Sequence, residues 1–277
     1  MKILITGWKG FIGSHLTEKL LELGHDVVGI DNGSTGTYSN PKVTIHQLKN
    51  LCNSDSFDLK GINVVFHVAA IARIPQSFET PQLYYQNNVL STLNLLEACR
   101  KQGVKKLIYS SSSSVVDPSN PYAHSKLIGE QLCEMYSRLY GMDIQCLRYF
   151  NVYGDRMANG SYATVLQKFK DQLDKNEPLQ IYGMGRQKRD FTFVGDVVDA
   201  NLLMLNQKEF GIFDVGSGQN YTILQIAQQF NHSMLFIDGF VGREETLANI
   251  EPIRKLGYEP KENVLNWIKT KFLIGDN

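Results

Sequence analysis

A chain of 277 residues with 43% hydrophobic side chains can build one large or two unequal packed domains. Lysine plus arginine equals aspartate plus glutamate, 28 of each, so no global basic field exists to draw in nucleic acid or an acidic membrane, and neither is expected as a partner. The longest apolar stretch, residues 62–72, is too short to span a bilayer, and the first strand pattern at Lys2 leaves no room for a signal peptide. The expectation is a cytoplasmic protein. The four cysteines, at 52, 99, 133 and 146, have no metal-ligand spacing, so reduced thiols and no metal are expected.

Short apolar runs at 2–6, 26–30, 43–46, 63–68, 104–109 and 143–148 predict strands. Helical patterns at 11–23, 81–102 and 121–140 lie between them, the last opening on Pro121 at its first turn. Strands alternating with helices predict an α/β fold, a Rossmann-type doubly wound parallel sheet, over residues 1–150. After Asn151 the rhythm breaks into an amphipathic helix near 162–175, a short strand near 179–182 and glycine-rich connections. That predicts a smaller α/β domain over 151–277, with segments near 190–217 returning to the first.

ILITGWKGFIGSHL places Gly7, Gly10 and Gly13 between the first strand and the first helix. Glycines there permit a tight turn and close approach of backbone to a pyrophosphate, while the helix N-terminus supplies donors and partial positive charge. Asp31 ends the second strand, where a carboxylate accepts both hydroxyls of an adenosine ribose and repels a 2′-phosphate. No lysine or arginine occurs from Asn32 to Asn40 to receive that phosphate, so NAD is expected over NADP.

SSSSSVVDPSNPYAHSK, residues 110–126, places Tyr122 and Lys126 one helical turn apart. On one helix face the ammonium can sit beneath the phenol ring and favour its phenolate, making a general base. Tyr38 and Lys42 share this spacing, but Pro41 between them argues against a helix.

Together, TGWKGFIG, DNGSTG, VFHVAAIA, NNVLSTLNLLEA, LIYSSSSSV, YAHSK, LRYFNVYG, GRQKRDFTFVGDVVDAN and FDVGSGQNYT make the chain resemble the extended short-chain dehydrogenases/reductases. The branch is that of NAD-dependent sugar-nucleotide epimerases and dehydratases, and UDP-glucose 4-epimerase-like enzymes are the nearest match. The resemblance implies catalysis by Ser112, Tyr122 and Lys126. It implies cofactor contacts from Gly7, Gly10, Phe11, Ile12, Gly13, Asp31, Asn32, Ala69, Ala70, Asn88, Tyr122 and Lys126. Ser112, Asn151, Arg189 and Arg243 are implied to hold the nucleotide-sugar substrate, since an arginine fork reads phosphate oxygens. For Arg189 the competing role is an ion pair with Asp190, and for Arg243 one with Glu244 or Glu245. A homodimer built on the helices at 81–102 and 121–140 is implied as well.

Dehydratases of this branch carry an Asp-Glu pair after the serine or threonine position, and here those positions are Ser113 and Ser114. Decarboxylating relatives carry a glutamate there, and fucose-synthase-like relatives use a nearby cysteine and histidine; the serine run contains none of these. The expectation is therefore 4-epimerisation of a nucleotide sugar, a UDP-hexose, through a transient 4-keto intermediate. The alternatives are another sugar-nucleotide oxidoreductase or dehydratase, and a catalytically silent NAD-binding regulator on the same fold. His67 and His124 are kept out of the catalytic set, the first as structural and the second as turned off the Tyr122/Lys126 face. Ser112 and Tyr122 are ten positions apart, closer than in typical members, which puts the sugar preference in question. IHQLKN after the third strand lacks the acid that holds adenine in relatives, leaving main chain or Asp55 for that task. Thr246 falls at a position that gates the sugar pocket in relatives, and its small size hints at room for an N-acetyl group.

Overall fold

The structure, a computed structural model, describes residues 1–43, 45–48, 50–53, 57–160, 163–239 and 242–272. In chain order the elements begin β1 (Lys2–Thr6), α1 (Phe11–Glu22), β2 (Asp26–Asp31), β3 (Ile45–Leu48), β4 (Val64–His67), α2 (Ile74–Glu79) and α3 (Pro81–Tyr84). A π-helical turn (Tyr85–Leu90) leads into α4 (Ser91–Gln102), followed by β5 (Lys106–Ser112), α5 (Pro121–Tyr140), β6 (Asp143–Tyr149), β7 (Val152–Tyr153), α6 (Val165–Asp174), β8 (Leu179–Tyr182), β9 (Lys188–Asp190) and β10 (Thr192–Phe193). The chain ends with α7 (Val194–Leu203), β11 (Phe210–Val215), β12 (Asn220–Thr222), α8 (Ile223–Gln228), β13 (Met234–Ile237), α9 (Glu251–Arg254) and α10 (Val264–Phe272).

Two units divide the chain: Met1–Arg148 with Val198–Phe213, and Tyr149–Val197 with Asp214–Asn277. The first is built on a seven-stranded sheet in the order β11-β6-β5-β4-β1-β2-β3. β1 pairs in parallel with both β2 and β4, so the chain starts mid-sheet and winds outward in each direction. This is the Rossmann-type fold that the alternating pattern predicts. Helices cover both faces of such a sheet, which is why β1 and β4 read as continuous apolar runs, ILI and VVF, with no buried-exposed alternation. The direction of winding reverses between β1 and β4, and ligands bind in the crevice that forms at the strand ends there.

Some boundaries differ from the sequence pattern. β3 begins at Ile45 and not at Val43, which is buried but outside the strand. β5 runs on through the serines: Ser110, Ser111 and Ser112 are all buried. Hydroxyls are tolerated in a buried strand when bonded, as Ser111 is, donating to Glu130 Oε1 at 2.5 Å. The stretch 81–102 is not one α-helix, because a π turn carrying Asn87 and Asn88 interrupts it. Such turns displace one residue from the regular ladder and concentrate at functional sites.

α5 has strong ends. Asn120 Oδ1 accepts the Ala123 N–H at 2.9 Å, Pro121 fits the first turn, and Gly141 closes the helix at φ +63°. Its buried face, Ala123, Lys126, Gly129, Glu130, Cys133 and Tyr136, packs on β5. Cys99, Cys133 and Cys146 lie buried as free thiols, and Cys52 is half-buried and also free.

In the second unit short sheets β7 with β10, β9 with β12 and β8 with β13 replace the parallel layer. Aromatic edges organise its core: Tyr153 meets Trp267 at 5.1 Å between centroids, and Phe169 meets Phe230 at 5.8 Å. No helix among the described residues is long and apolar enough to cross a membrane.

Candidate active site

The loop after β1 is closed by its own backbone. Gly7 donates to Ile30 O at 2.8 Å and Gly10 donates to Gly7 O at 3.1 Å, leaving Gly10 as the N-cap of α1 with no side-chain cap. Space explains the glycines: a Cβ on Gly7 would lie 2.8 Å from the Ala69 backbone, and one on Gly13 would lie 2.1 Å from Gly7 O. Phe11 and Ile12 form the first turn of α1, so their N–H groups sit at the positive end of the helix.

Asp31, buried at the end of β2, accepts the Lys9 N–H through Oδ2 at 3.0 Å and the Gly33 N–H through Oδ1 at 2.7 Å. It thus ties the glycine loop to the turn after β2. Asn32 follows in that turn, its Oδ1 accepting the Ser34 N–H at 3.0 Å. Ala69 donates to Thr6 Oγ1 at 3.2 Å, which fixes the loop after β4 against β1, and Ala70 follows it at the surface. Asp55 lies outside the described residues.

His67 is fully enclosed, its Nδ1 2.8 Å from Thr6 Oγ1 and its Nε2 3.0 Å from Thr92 Oγ1. Thr92 spends its hydroxyl proton on Asn88 O at 2.6 Å, so Nε2 is the protonated nitrogen and Nδ1 accepts from Thr6. Burial, and behind it the charge of Lys126, pushes the imidazole down to about 3, so it stays neutral. His124 is exposed and bonded to Tyr85 Oη at 2.8 Å.

Ser112, Tyr122 and Lys126 come together in the first unit. The Ser112 hydroxyl stands beside the Tyr122 phenol and favours its ionised form, so the short connection does span the gap. It does so with a 3₁₀ turn, Ser113–Val116, capped by Ser112 Oγ accepting the Ser114 N–H at 3.2 Å. Asn88 braces the helix that carries Tyr122: its Nδ2 donates to Ser125 Oγ at 2.9 Å and to Ile71 O at 3.0 Å, its Oδ1 accepts the Ile71 N–H at 2.8 Å, and Ser125 donates to Tyr122 O at 2.7 Å.

Lys126 is buried, with its Nζ over the Tyr109 ring, 4.2 Å from the centroid. Burial pushes it down to about 8, while Cys133, Glu130 and Cys146 act to hold its proton. Glu130 is itself gripped by Arg148, Nε to Oε1 at 2.9 Å and Nη2 to Oε2 at 2.7 Å. Burial also raises the Tyr122 phenol; the Ser112 hydrogen bond and the charge of Arg73 oppose it. Arg73 was not singled out in the sequence, although an arginine directly after VFHVAAIA, on the loop leaving β4, was the available signal.

The second unit gathers the remaining residues. The segment 243–246 runs along β9, Lys188 donating to Glu244 O at 2.8 Å and Thr246 donating to Lys188 O at 3.1 Å. This brings Arg243 near Arg189, whose guanidinium is disfavoured by burial and then by that second charge. The competing ion pair of Arg189 with Asp190 is not what forms. The Asp190 carboxylate turns into its own knot, accepting from Ser217 N–H at 2.8 Å, Ser217 Oγ at 2.7 Å, Gly218 N–H at 3.1 Å and Ala248 N–H at 3.1 Å. Glu245 goes to Asn220 Nδ2 at 2.6 Å and Lys188 Nζ at 3.9 Å. Asn151, at φ +31°, donates to Asp190 O at 2.7 Å and to Thr246 Oγ1 at 3.2 Å, so its amide and the buried Thr246 hydroxyl hold each other. Two neighbouring cations, partly desolvated, are stabilised by an anion placed between them.

A glycine cradle at a helix N-terminus, an acid ending β2 and a Ser/Tyr/Lys cluster at the strand ends define a dinucleotide-dependent enzyme of the Rossmann class. The family model for the NAD dependent epimerase/dehydratase family matches residues 3–216, and the chain belongs to that family. It is 34% identical to a putative UDP-glucose 4-epimerase of Methanocaldococcus jannaschii, covering 96% of this chain and 98% of the relative. It is 35% identical to a UDP-N-acetyl-alpha-D-glucosaminuronate decarboxylase of Bacillus cytotoxicus, covering 84% and 81%. Among solved structures it superposes on UDP-glucose 4-epimerase of Thermotoga maritima with a TM-score of 0.92 at 30% identity, covering 99% and 98%. The cofactor is NAD, and the cradle fits it: side chains at Gly7 and Gly13 would fill the space left for backbone to approach a pyrophosphate.

Proposed function

We propose that the protein interconverts two nucleotide sugars by inversion at C4, acting on a UDP-hexose through a transient 4-keto sugar. The supporting observation is the Ser112 hydroxyl beside the Tyr122 phenol, followed by a capped turn of serines that holds no acid. Elimination of water needs a carboxylate next to that pair. The carboxylate that does pack against β5, Glu130, is committed to Arg148 and Ser111.

In this reading Tyr122 Oη takes the proton of the sugar hydroxyl and returns it, and Ser112 Oγ holds the same oxygen in place. Lys126 supplies positive charge beneath the site. Bound NAD supplies the hydride acceptor and donor, held by Gly7, Gly10, Phe11, Ile12, Gly13, Asp31, Asn32, Ala69 and Ala70, with Asn88 bracing the helix that carries Tyr122. Arg189 and Arg243 anchor the diphosphate, and Asn151 frames that subsite. Exposed apolar side chains on the helical segments, Leu83, Leu90, Met135 and Leu139, support a homodimer.

The test is incubation with UDP-, GDP- and dTDP-sugars without added cofactor, reading product stereochemistry by NMR. C4 inversion of a UDP-hexose is the expected result. Loss of water or of carbon dioxide would replace this reaction with another of the family, and a Tyr122→Phe enzyme with full activity would remove the assigned base.

A further inference from the structure

The loop between β1 and α1 carries a tryptophan that a cradle for pyrophosphate does not need. Trp8 is 2% exposed, and its indole is seated on β2: a Cβ on Gly29 would lie 2.4 Å from Trp8 Cδ1 and 2.5 Å from Nε1. Glycine inside a strand weakens it and marks a place where another group comes close, and here that group is the indole. The indole also meets the Tyr38 ring edge-on, 6.1 Å between centroids at 81°. Tyr38 belongs to the turn after β2, residues 32–40, which has no regular secondary structure and is exposed from Asn32 to Thr35.

Backbone contacts fold the same turn onto Lys9. The Tyr38 N–H donates to Lys9 O at 3.3 Å, and a Cβ on Gly36 would stand 2.4 Å from the Lys9 carbonyl carbon. The Lys9 N–H goes to Asp31 Oδ2 at 3.0 Å and the Gly33 N–H to Asp31 Oδ1 at 2.7 Å. Lys9 Nζ lies over the indole, 5.5 Å from its centroid, so the residue that joins Asp31 to the turn is tied to Trp8 as well. Each Asp31 oxygen, having accepted one N–H, keeps a lone pair for a ribose hydroxyl. Hydrogen bonds at an exposed turn open readily, and the contact of Trp8 with Tyr38 gives this turn an apolar anchor.

We propose that Trp8 is a positioning residue of the NAD site: its indole, held in the Gly29 socket, keeps the turn after β2 closed on the glycine loop, so that Asp31 meets the adenosine ribose already in place. The inference rests on the reading of Asp31 as the acid that takes that ribose. A turn closed only part of the time binds NAD more weakly by that fraction, so one closed about a tenth of the time without the indole raises the apparent Kd about tenfold.

Calorimetry of the full chain, freed of nucleotide, with NAD and with its 2′-deoxyadenosine analogue tests this. Trp8→Ala should weaken NAD binding by about tenfold, and Trp8→Phe, which refills much of the socket, should recover most of the loss. Removing the 2′-hydroxyl should weaken binding to the parent and do so by less in Trp8→Ala, because a ribose contact already loosened has less to lose. Tyr38→Ala, a change at a half-buried position, should give a smaller loss with the same dependence on the hydroxyl, and it carries the test if alanine at position 8 prevents folding. NAD affinity within about twofold of the parent in the alanine variant, no recovery with phenylalanine, or losses that simply multiply would overturn the proposal. Asp31→Asn probes the reading beneath it. Unchanged NAD affinity in that variant removes the ribose contact and the Trp8 role together, whereas a weakened Asp31→Asn beside an unchanged Trp8→Ala removes the Trp8 role alone.

Discussion

Lys126 holds its ammonium 4.2 Å from the centre of the Tyr109 ring, and the phenol oxygen of that ring lies 2.0 Å from where a Cβ on Gly129 would stand. Helix α5 thus approaches β5 closely because residue 129 has no side chain, and this approach seats the lysine. Gly129→Ala should force the ring aside, lowering stability by about 1–3 kcal/mol, as overpacking does, and cutting turnover. Thermal melts and initial rates check it. Tyr109 Oη has no hydrogen-bond partner among the described residues, so Tyr109→Phe in the alanine background should recover part of the lost stability.

Asn88 satisfies the loop after β4 and helix α5 at once. Asn88→Ala leaves buried polar groups of Ile71 and Ser125 without their partner, at a cost of about 2–3 kcal/mol. A melting temperature lower by roughly 5–10 °C is expected. The drop should come with a fall in kcat larger than any rise in KM, because Tyr122 loses its brace.

His67 makes stability depend on acid. Its folded value, about 3, lies below its ordinary 6.5, so the unfolded chain binds the extra proton between these limits. The contribution is whole above pH 6.5 and drains away as pH falls toward 3, at up to about 1.4 kcal/mol per pH unit. Urea denaturation at a series of pH values should show this slope, and His67→Gln should flatten it.

Arg189 and Arg243 should act as one anion site. Either substitution to alanine should weaken UDP binding by about 10- to 100-fold, the range for a charge-assisted hydrogen bond, and the double variant by less than the product. Calorimetry with UDP measures this, and unchanged NAD affinity separates it from a general loss of structure.

Periodicity and glycine placement made much of the first unit legible. Strand runs at 2–6, 26–30 and 63–68 and the loop from Gly7 to Gly13 are local patterns, and each maps onto β1, β2, β4 and the turn into α1. The π turn around Asn88 was not legible, because it arises when Asn88 is drawn to Ile71 and Ser125, residues far along the chain. The extension of β5 through Ser110–Ser112 was hidden for a similar reason: serines join a buried strand only where partners such as Glu130 wait on another element.

By itself the sequence determined the alternation of strands and helices, the glycine loop into α1 and the placement of Tyr122 and Lys126 one helical turn apart, since these depend on residue type at fixed local spacing. Tertiary structure alone decided where the charges act. One helical turn separates Tyr122 from Lys126 along α5, and packing against β5 set the lysine's ammonium over the Tyr109 ring. Spacing along a helix sets which residues can meet, whereas the aim of a long side chain follows the cheapest desolvation among neighbours that only folding assembles.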